Sequence, residues 1–203
     1  MPTAPTAPPS LLQIYREPLK PGCEAAYRAI EEDTARTVST LGCPHPYLGV
    51  ESLTGPKEVW WFNGYESPAE QQQVVDEYAG NTRLMTALQE NSRKKASLTL
   101  APMQLLARYR PEWSTGVPWL LGRGRFLVIT RSTGHDRCMG TVFEAADGTC
   151  VIVAPAENRQ EAESMSGLSA QPYSIFAVRP SWSVPADDWV AADRAFWKAI
   201  QQE

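Results

Sequence analysis

Apolar and polar positions divide residues 11–110 into strand, helix, strand, strand, helix, strand. LLQIYREPL alternates as a strand does, and CEAAYRAIEEDTARTVSTLG carries Tyr27, Ile30, Thr34, Val38 and Leu41 at helical spacing. Glu24, Arg28, Glu31, Glu32 and Arg36 fall mostly outside that stripe, and Gly42 followed by Pro44 marks the helix end. PYLGVESL and KEVWWFNGYES are strands joined at a Thr54-Gly55-Pro56 turn. SPAEQQQVVDEY opens with Ser67 as N-cap, Pro68 at the first helical position and Glu70 three residues after the cap, the signature of a capping box. Ala79-Gly80-Asn81 breaks this helix, and a second segment from about Thr82 to Ser97 turns Leu84, Met85 and Leu88 inward. PMQLLARYR closes the unit as a strand.

Residues 111–124, PEWSTGVPWLLGRG, read as a connection whose Trp113 and Trp119 pack back onto the body. Beyond it come strands at Phe126–Ser132 and Gly140–Ala145, an Asp147-Gly148 hairpin turn, and a strand over Thr149–Pro155. A short helix capped by Asn158, with Glu161 three residues on, precedes a strand over Tyr173–Arg179. The chain then ends in a helix with Asp187 and Asp188 in its first turn and a Trp189, Asp193, Phe196, Trp197, Ile200 stripe that reads as a packing face. The fold class expected from element order is α+β, two ferredoxin-like units in tandem; that they form a single-chain α/β barrel with helices outside is implied by the family resemblance given below. The division is a tail at 1–10, a first unit at 11–110, the connection at 111–124, and a second unit at 125–203 that lacks its first helix or has it displaced to the C-terminus.

Composition narrows the function classes. The 203 residues carry a net charge of −4, with no basic run longer than Arg93-Lys94-Lys95, which argues against a nucleic-acid partner. No apolar run reaches the ~18 residues of a membrane span. The Pro/Ala/Thr-rich start MPTAPTAPPS has no charged n-region and no apolar core, so it reads as a flexible tail rather than a signal peptide, and a cytoplasmic location is expected. Cys23, Cys43, Cys138 and Cys150 match no metal or redox spacing and are expected as reduced thiols.

Strand parity then sorts candidate chemistry. Met103, Leu105, Ala107 and Tyr109 form one face of the closing strand, and Gln104, Leu106 and Arg108 the other. Val59, Trp61, Asn63 and Tyr65 share a face opposite Glu58, Trp60, Phe62 and Gly64. The candidate cavity set, expected to line the barrel interior, is Gln13, Tyr15, Glu51, Trp61, Asn63 and Arg108. An aromatic wall with a few polar anchors is typical of small-ligand sites, although Glu51 and Arg108 could simply pair with each other. His45 sits in the stiff Cys43-Pro44-His45-Pro46 loop, and His135 in a loop at the cavity rim where it could act as a base. Gly122-Arg123-Gly124-Arg125 precedes a strand, not a helix, and is no phosphate loop; no Gly-x-Ser-x-Gly elbow supports a hydrolase.

The pattern LLQIYREPLKPG feeding a helix, then GVESLTGPKEVWWFNGYES entering the capped helix, resembles the dimeric α/β-barrel superfamily, including the antibiotic-biosynthesis-monooxygenase-like proteins. The resemblance implies two sheets joined into one barrel, a small-molecule ligand and the option of a homodimer. It also implies cofactor-independent monooxygenase chemistry on an aromatic or oxygen-rich substrate. Asn63, Trp61 and Arg108 would then be the catalytic groups, with Gln13, Tyr15, Glu51 and His135 binding ligand and no metal or cofactor. The haem-binding members would instead call on a histidine, His45 or His135. The rival reading is a non-catalytic binding or oligomerisation protein of the same fold, with the barrel filled by side chains.

Overall fold

The computed structural model describes residues 7–115, 121–122, 124–133, 138–166 and 172–198. The first half contains β1 (Leu11–Pro18), α1 (Glu24–Leu41), β2 (Leu48–Ser52), β3 (Glu58–Tyr65), α2 (Pro68–Gly80), α3 (Thr82–Lys95) and β4 (Met103–Tyr109). Two short strands, β5 (Ser114–Thr115) and β7 (Cys138–Met139), flank β6 (Phe126–Ser132) in sequence. β8 (Thr141–Ala145), β9 (Cys150–Ala156), α4 (Arg159–Ser166), β10 (Tyr173–Val178), α5 (Asp187–Ala192) and α6 (Arg194–Lys198) complete the order.

Eight strands close into an antiparallel barrel in the order β1-β3-β2-β10-β6-β9-β8-β4. The first half contributes β4-β1-β3-β2 and the second β10-β6-β9-β8. Each is the ferredoxin-like arrangement of fourth, first, third and second strand. The halves meet at two related seams, β2 with β10 and β4 with β8, so the second strand of each half pairs with the fourth strand of the other. One chain thus supplies both sheets.

Helix caps repeat with the strands. Ser67 Oγ accepts from Glu70 N at 3.1 Å, and the Glu70 carboxylate accepts from Glu66 N at 2.6 Å. At the equivalent place in the second half, Asn158 Oδ1 accepts from Glu161 N at 2.9 Å and Glu161 accepts from Glu157 N at 2.9 Å. Each glutamate thus bonds the amide just before the cap. The break between α2 and α3 falls at Asn81, whose side chain accepts from Leu84 N at 3.1 Å and so starts the next helix.

The core sits in the lumen. Leu12 and Ile14, Leu48 and Val50, Trp60 and Phe62, Ala107, Leu127 and Ile129, Phe143, Val151 and Val153, and Phe176 and Val178 form one buried cluster. Every barrel strand contributes to it, which only residues meeting across the barrel interior can do. One end is closed by Leu121 and Trp197, whose indole donates to Gly122 O at 3.0 Å. Gly122 has φ +80° and lies under the Trp189 ring, where a Cβ would come within 2.1 Å, so the position demands glycine. At the other end Arg16 binds Glu58 through both carboxylate oxygens, and Trp60 Nε1 donates to the same carboxylate at 2.8 Å. Burial works against charge on Glu58, but the bonds from Arg16 and Trp60 outweigh it and hold its carboxyl below the usual range.

Helices α1, α2 and α3 lie on the outer face of the first half. In the second half α4 brings Ala162 and Met165 onto Val128, Ala154, Ala156 and Ile175. No helix stands between β6 and β8 among the described residues. Trp113 instead covers Val142, Cys150 and Ile152, beside the small β5–β7 sheet. The connection therefore does the covering that α1 does in the first half. The expected C-terminal helix is two short ones, interrupted at Asp193, which pairs with Arg125 at 2.8 Å and accepts from Phe196 N at 3.1 Å. They seal the barrel end rather than replace the missing outer helix. The readings at Trp119, His135 and Ile200 lie outside the described residues.

Candidate functional site

The residues singled out by parity do share a face, but it is the outer, helix-bearing face and not the lumen. Trp60 and Phe62 point inward; Trp61 packs outside against Trp182, Tyr27 and Tyr47. Alternation separates two faces without saying which one closes in. Barrel closure buries its interior more completely than the helices bury the outside, so the more apolar set takes the lumen and the mixed set faces α1, α2 and α3.

Ladder registers place these side chains in three rows across the outer face. Trp61 stands beside Tyr15 and then Gln104; Asn63 beside Gln13 and then Leu106; Tyr65 beside Leu11 and then Arg108. The first two rows form a compact polar and aromatic cluster. Tyr65 Oη donates to Gln13 Oε1 at 3.1 Å, and Gln13 Nε2 donates to Tyr15 Oη at 2.5 Å. Gly49 stands opposite Trp61 on β2, with the indole laid over it so closely that a Cβ would meet the ring at 2.5 Å. Asn63 is 8% exposed, and its side-chain amide makes no hydrogen bond to any described residue; the fully buried unpartnered side-chain atoms among those residues are Glu31 Oε1 and Trp182 Nε1, so the Asn63 amide keeps its contact with solvent. Tyr15, two strand positions from Gln13, is 38% exposed and marks where the cluster opens to solvent.

Burial raises the Tyr15 phenol against the lowering effect of Gln13, and it pushes Tyr65 up to about 12. Both stay neutral at physiological pH and serve as hydrogen-bonding groups rather than bases. Behind Trp61 lies an ionic cluster that the helical stripe did not reveal. Lys95 Nζ is 2.6 Å from Glu31 Oε1, off the line of a well-directed hydrogen bond, and 3.2 Å from Glu17 Oε2. It also lies over the Tyr27 and Trp61 rings, and Tyr27 Oη donates to Glu17. Glu31 was expected on the polar side of α1, yet it is only 2% exposed. Its spacing of four from Tyr27 and three from Thr34 was the available signal.

Glu51 and Arg108 do not pair, and neither joins the Asn63 cluster. Glu51 is bound on the same outer face, at the β2–β10 seam, by Arg28 at 2.7 Å and by Arg179. Arg108 belongs to a separate, half-open cavity of about 550 Å³ at the β4–β8 seam, lined also by Leu11, Leu106, Pro68, Gln71, Arg110 and Glu144. His45 Nε2 donates to Gly64 O at 2.7 Å, and its ring stacks on Tyr65 with centroids 4.7 Å apart. Cys43 contacts Tyr78 Oη at 3.1 Å, and burial pushes its thiol up, away from the reactive thiolate. No three His, Cys, Asp or Glu side chains among the described residues are grouped to hold a metal.

The molecule is a single-chain α/β barrel of two ferredoxin-like units, the fold of the dimeric α/β-barrel superfamily, and its polar cluster lies between sheet and helices. No protein-family model matches the sequence, and comparison with curated proteins finds no match. The fold is similar to that of a candidate monooxygenase from Fusobacterium nucleatum, with TM-score 0.54 and 8% identity over 85% of this chain and 93% of that one. It is also similar to a candidate monooxygenase from Lactobacillus acidophilus, with TM-score 0.52 and 7% identity over 85% and 94% of the two chains. At such identities the likeness is one of fold. No helix is long and apolar enough to cross a membrane among the described residues.

Proposed function

We propose that the protein binds a planar, oxygen-bearing small molecule on the outer face of its first-half sheet and oxidises it as a cofactor-independent monooxygenase. One observation carries the reading: Asn63, only 8% exposed, presents a side-chain amide that has no partner among the described residues and is still open to solvent, beside the Trp61, Tyr15 and Tyr65 rings. An amide in such a place is satisfied when a ligand oxygen fills the gap. The two structural neighbours described as candidate monooxygenases make oxygenation the reaction class to test first.

In this reading the aromatic rings position a flat substrate and Asn63 Nδ2–H donates to its enolate or phenolate oxygen as charge develops there. The CH2 proton passes to solvent water, the charge spreads to that carbon, O2 adds there, and the peroxide formed takes a proton back from solvent. The resulting hydroperoxide loses water, so one C–H2 carbon becomes a carbonyl and one O2 is reduced to that oxygen and water. Tyr15 and Tyr65 stay protonated and take no part as bases. The reading calls for no cofactor. A suitable probe is anthrone, whose ring CH2 enolises. Oxygen uptake above the uncatalysed rate in wild type, lost in Asn63→Leu with the protein still folded, is the expected result. Equal uptake in both proteins removes Asn63 from the reaction.

A specific observation favours the non-catalytic alternative for the interior alone. Trp60, Phe62, Phe143 and Phe176 fill the lumen, each at most 3% exposed. Among the described residues these side chains pack the barrel centre, and the ligand reading rests on the outer face.

A further inference from the structure

We propose that the cavity at the β4–β8 seam is a binding site for a monocarboxylate with an apolar body. The site exists only because the two halves of the chain join there. Its floor comes from β1 and β4, through Leu11 and Leu106. One wall is the start of α2, at Pro68 and Gln71, and the other is β8 with the turn that follows, at Glu144, Ala145, Ala146 and Gly148. Ligand sites concentrate at such junctions, and a volume of about 550 Å³ is in their usual range.

The charges select the ligand. Glu144 stands directly across the ladder from Arg108. Its carboxylate is nevertheless taken by Arg110, whose Nε donates to it at 2.8 Å and whose terminal nitrogen makes a second bond. Arg108 is exposed and has no carboxylate partner among the described residues. Among its lining side chains the cavity thus presents one neutralised pair and one guanidinium without a carboxylate partner, a net single positive charge, with Glu112 3.8 Å from Arg110 outside the lining. A carboxylate matches that charge and the planar fork of the guanidinium. A dianionic phosphate would meet the Glu144 carboxylate with only one free cation to balance it. Leu106, 41% exposed, supplies the apolar surface that an attached ring or chain would cover. Covering that surface adds usefully to a single ion pair, which alone is worth little at the surface. The site borders the Asn63 cluster, with Leu106 in the same row as Asn63 and Gln13, but does not depend on the oxygenase reading.

The test is calorimetric titration of the full chain with 1-naphthoate, its neutral counterpart 1-naphthamide, and the dianion 1-naphthyl phosphate. The expected order is naphthoate tightest. Its affinity should fall about tenfold in Arg108→Gln, recover in part in Arg108→Lys, and weaken as salt is raised, while naphthamide binding responds to neither change. Arg131→Gln, on a strand away from the seam, should bind naphthoate as wild type does. The salt series needs no variant and guards against a misfolded one. The proposal is overturned if wild type does not bind naphthoate, if Arg108→Gln binds it unchanged, if Arg131→Gln weakens it equally, or if the phosphate binds more tightly than the carboxylate.

Discussion

Replacing Lys95 by Met probes the layer that holds α1 and α3 against the sheet and forms the back wall of the Trp61 cluster. Lys95 is 13% exposed and lies between Glu31, at 3%, and Glu17, at 20%. Removing the ammonium leaves the Glu31 carboxylate buried with no counter-charge and removes the cation from the Tyr27 and Trp61 rings. Breaking one partner of a buried pair typically costs ~3–5 kcal/mol, and that is the loss expected near pH 8. The loss depends on pH with a defined sign. Burial already raises the Glu31 carboxyl in the folded protein, and the Lys95 charge and bond are the main restraint on that rise, with a smaller one from Tyr27. Without Lys95 it rises further. An acid with a raised folded pKa contributes stability below its unfolded value, near 4.5, and that contribution is lost as pH rises through the folded value. Urea denaturation should therefore show Lys95→Met close to wild type near pH 4 and progressively weaker toward pH 8. Adding Glu31→Leu should restore much of the difference at pH 8, because no unpaired charge is then buried. A loss below ~1 kcal/mol at pH 8, or the same loss at both pH values, would refute the reasoning.

Ser67→Ala should lower stability by ~0.5–2 kcal/mol in the same assay, since Glu70 N loses its acceptor; no shift would mean the cap contributes nothing. Glu58→Gln should flatten the acid limb of the stability profile. The depressed Glu58 carboxyl gives wild type stability above about pH 4.5 that is lost as pH falls through its folded value, and an unchanged slope in the variant would contradict this. Trp182→Phe should cost less than an ordinary core truncation, because the Trp182 Nε1 donor is buried with no hydrogen-bond partner among the described residues and its removal relieves ~1–3 kcal/mol; a loss above ~3 kcal/mol would show that the indole is needed.

Much of the architecture was legible because local and global signals agreed. The caps at Ser67 and Asn158, the break at Asn81 and the hairpin at Asp147-Gly148 are short-range chemistry, and the structure uses each of them. The tandem arrangement followed from element order. What alternation cannot carry is the inside and outside of a sheet that is covered on both faces. Trp60 and Trp61 are neighbours with the same side chain, and only closure of the second sheet decides that Trp60 enters the lumen. The pairing partners of Glu51 were equally hidden: Arg28 comes from α1 and Arg179 from the far end of the chain, joined across the β2–β10 seam. The cavity at Arg108 needs β8 beside β4, a long-range contact that no local pattern encodes. The substitution of Trp113 for a missing helix was foreseeable only as a tryptophan packing back.

The central claim is that ligand binds on the outer face of the first-half sheet and not in the lumen. The most direct measurement is a proton–nitrogen NMR titration of the labelled protein with anthrone under nitrogen, where turnover cannot occur. Two adjacent indoles serve as reporters, Trp61 on the outer face and Trp60 in the lumen with its Nε1 bonded to Glu58. The account predicts that the Asn63 side-chain amide and the Trp61 indole shift together while the Trp60 indole stays in place. A shifted Trp60 indole with Asn63 and Trp61 unmoved would contradict it.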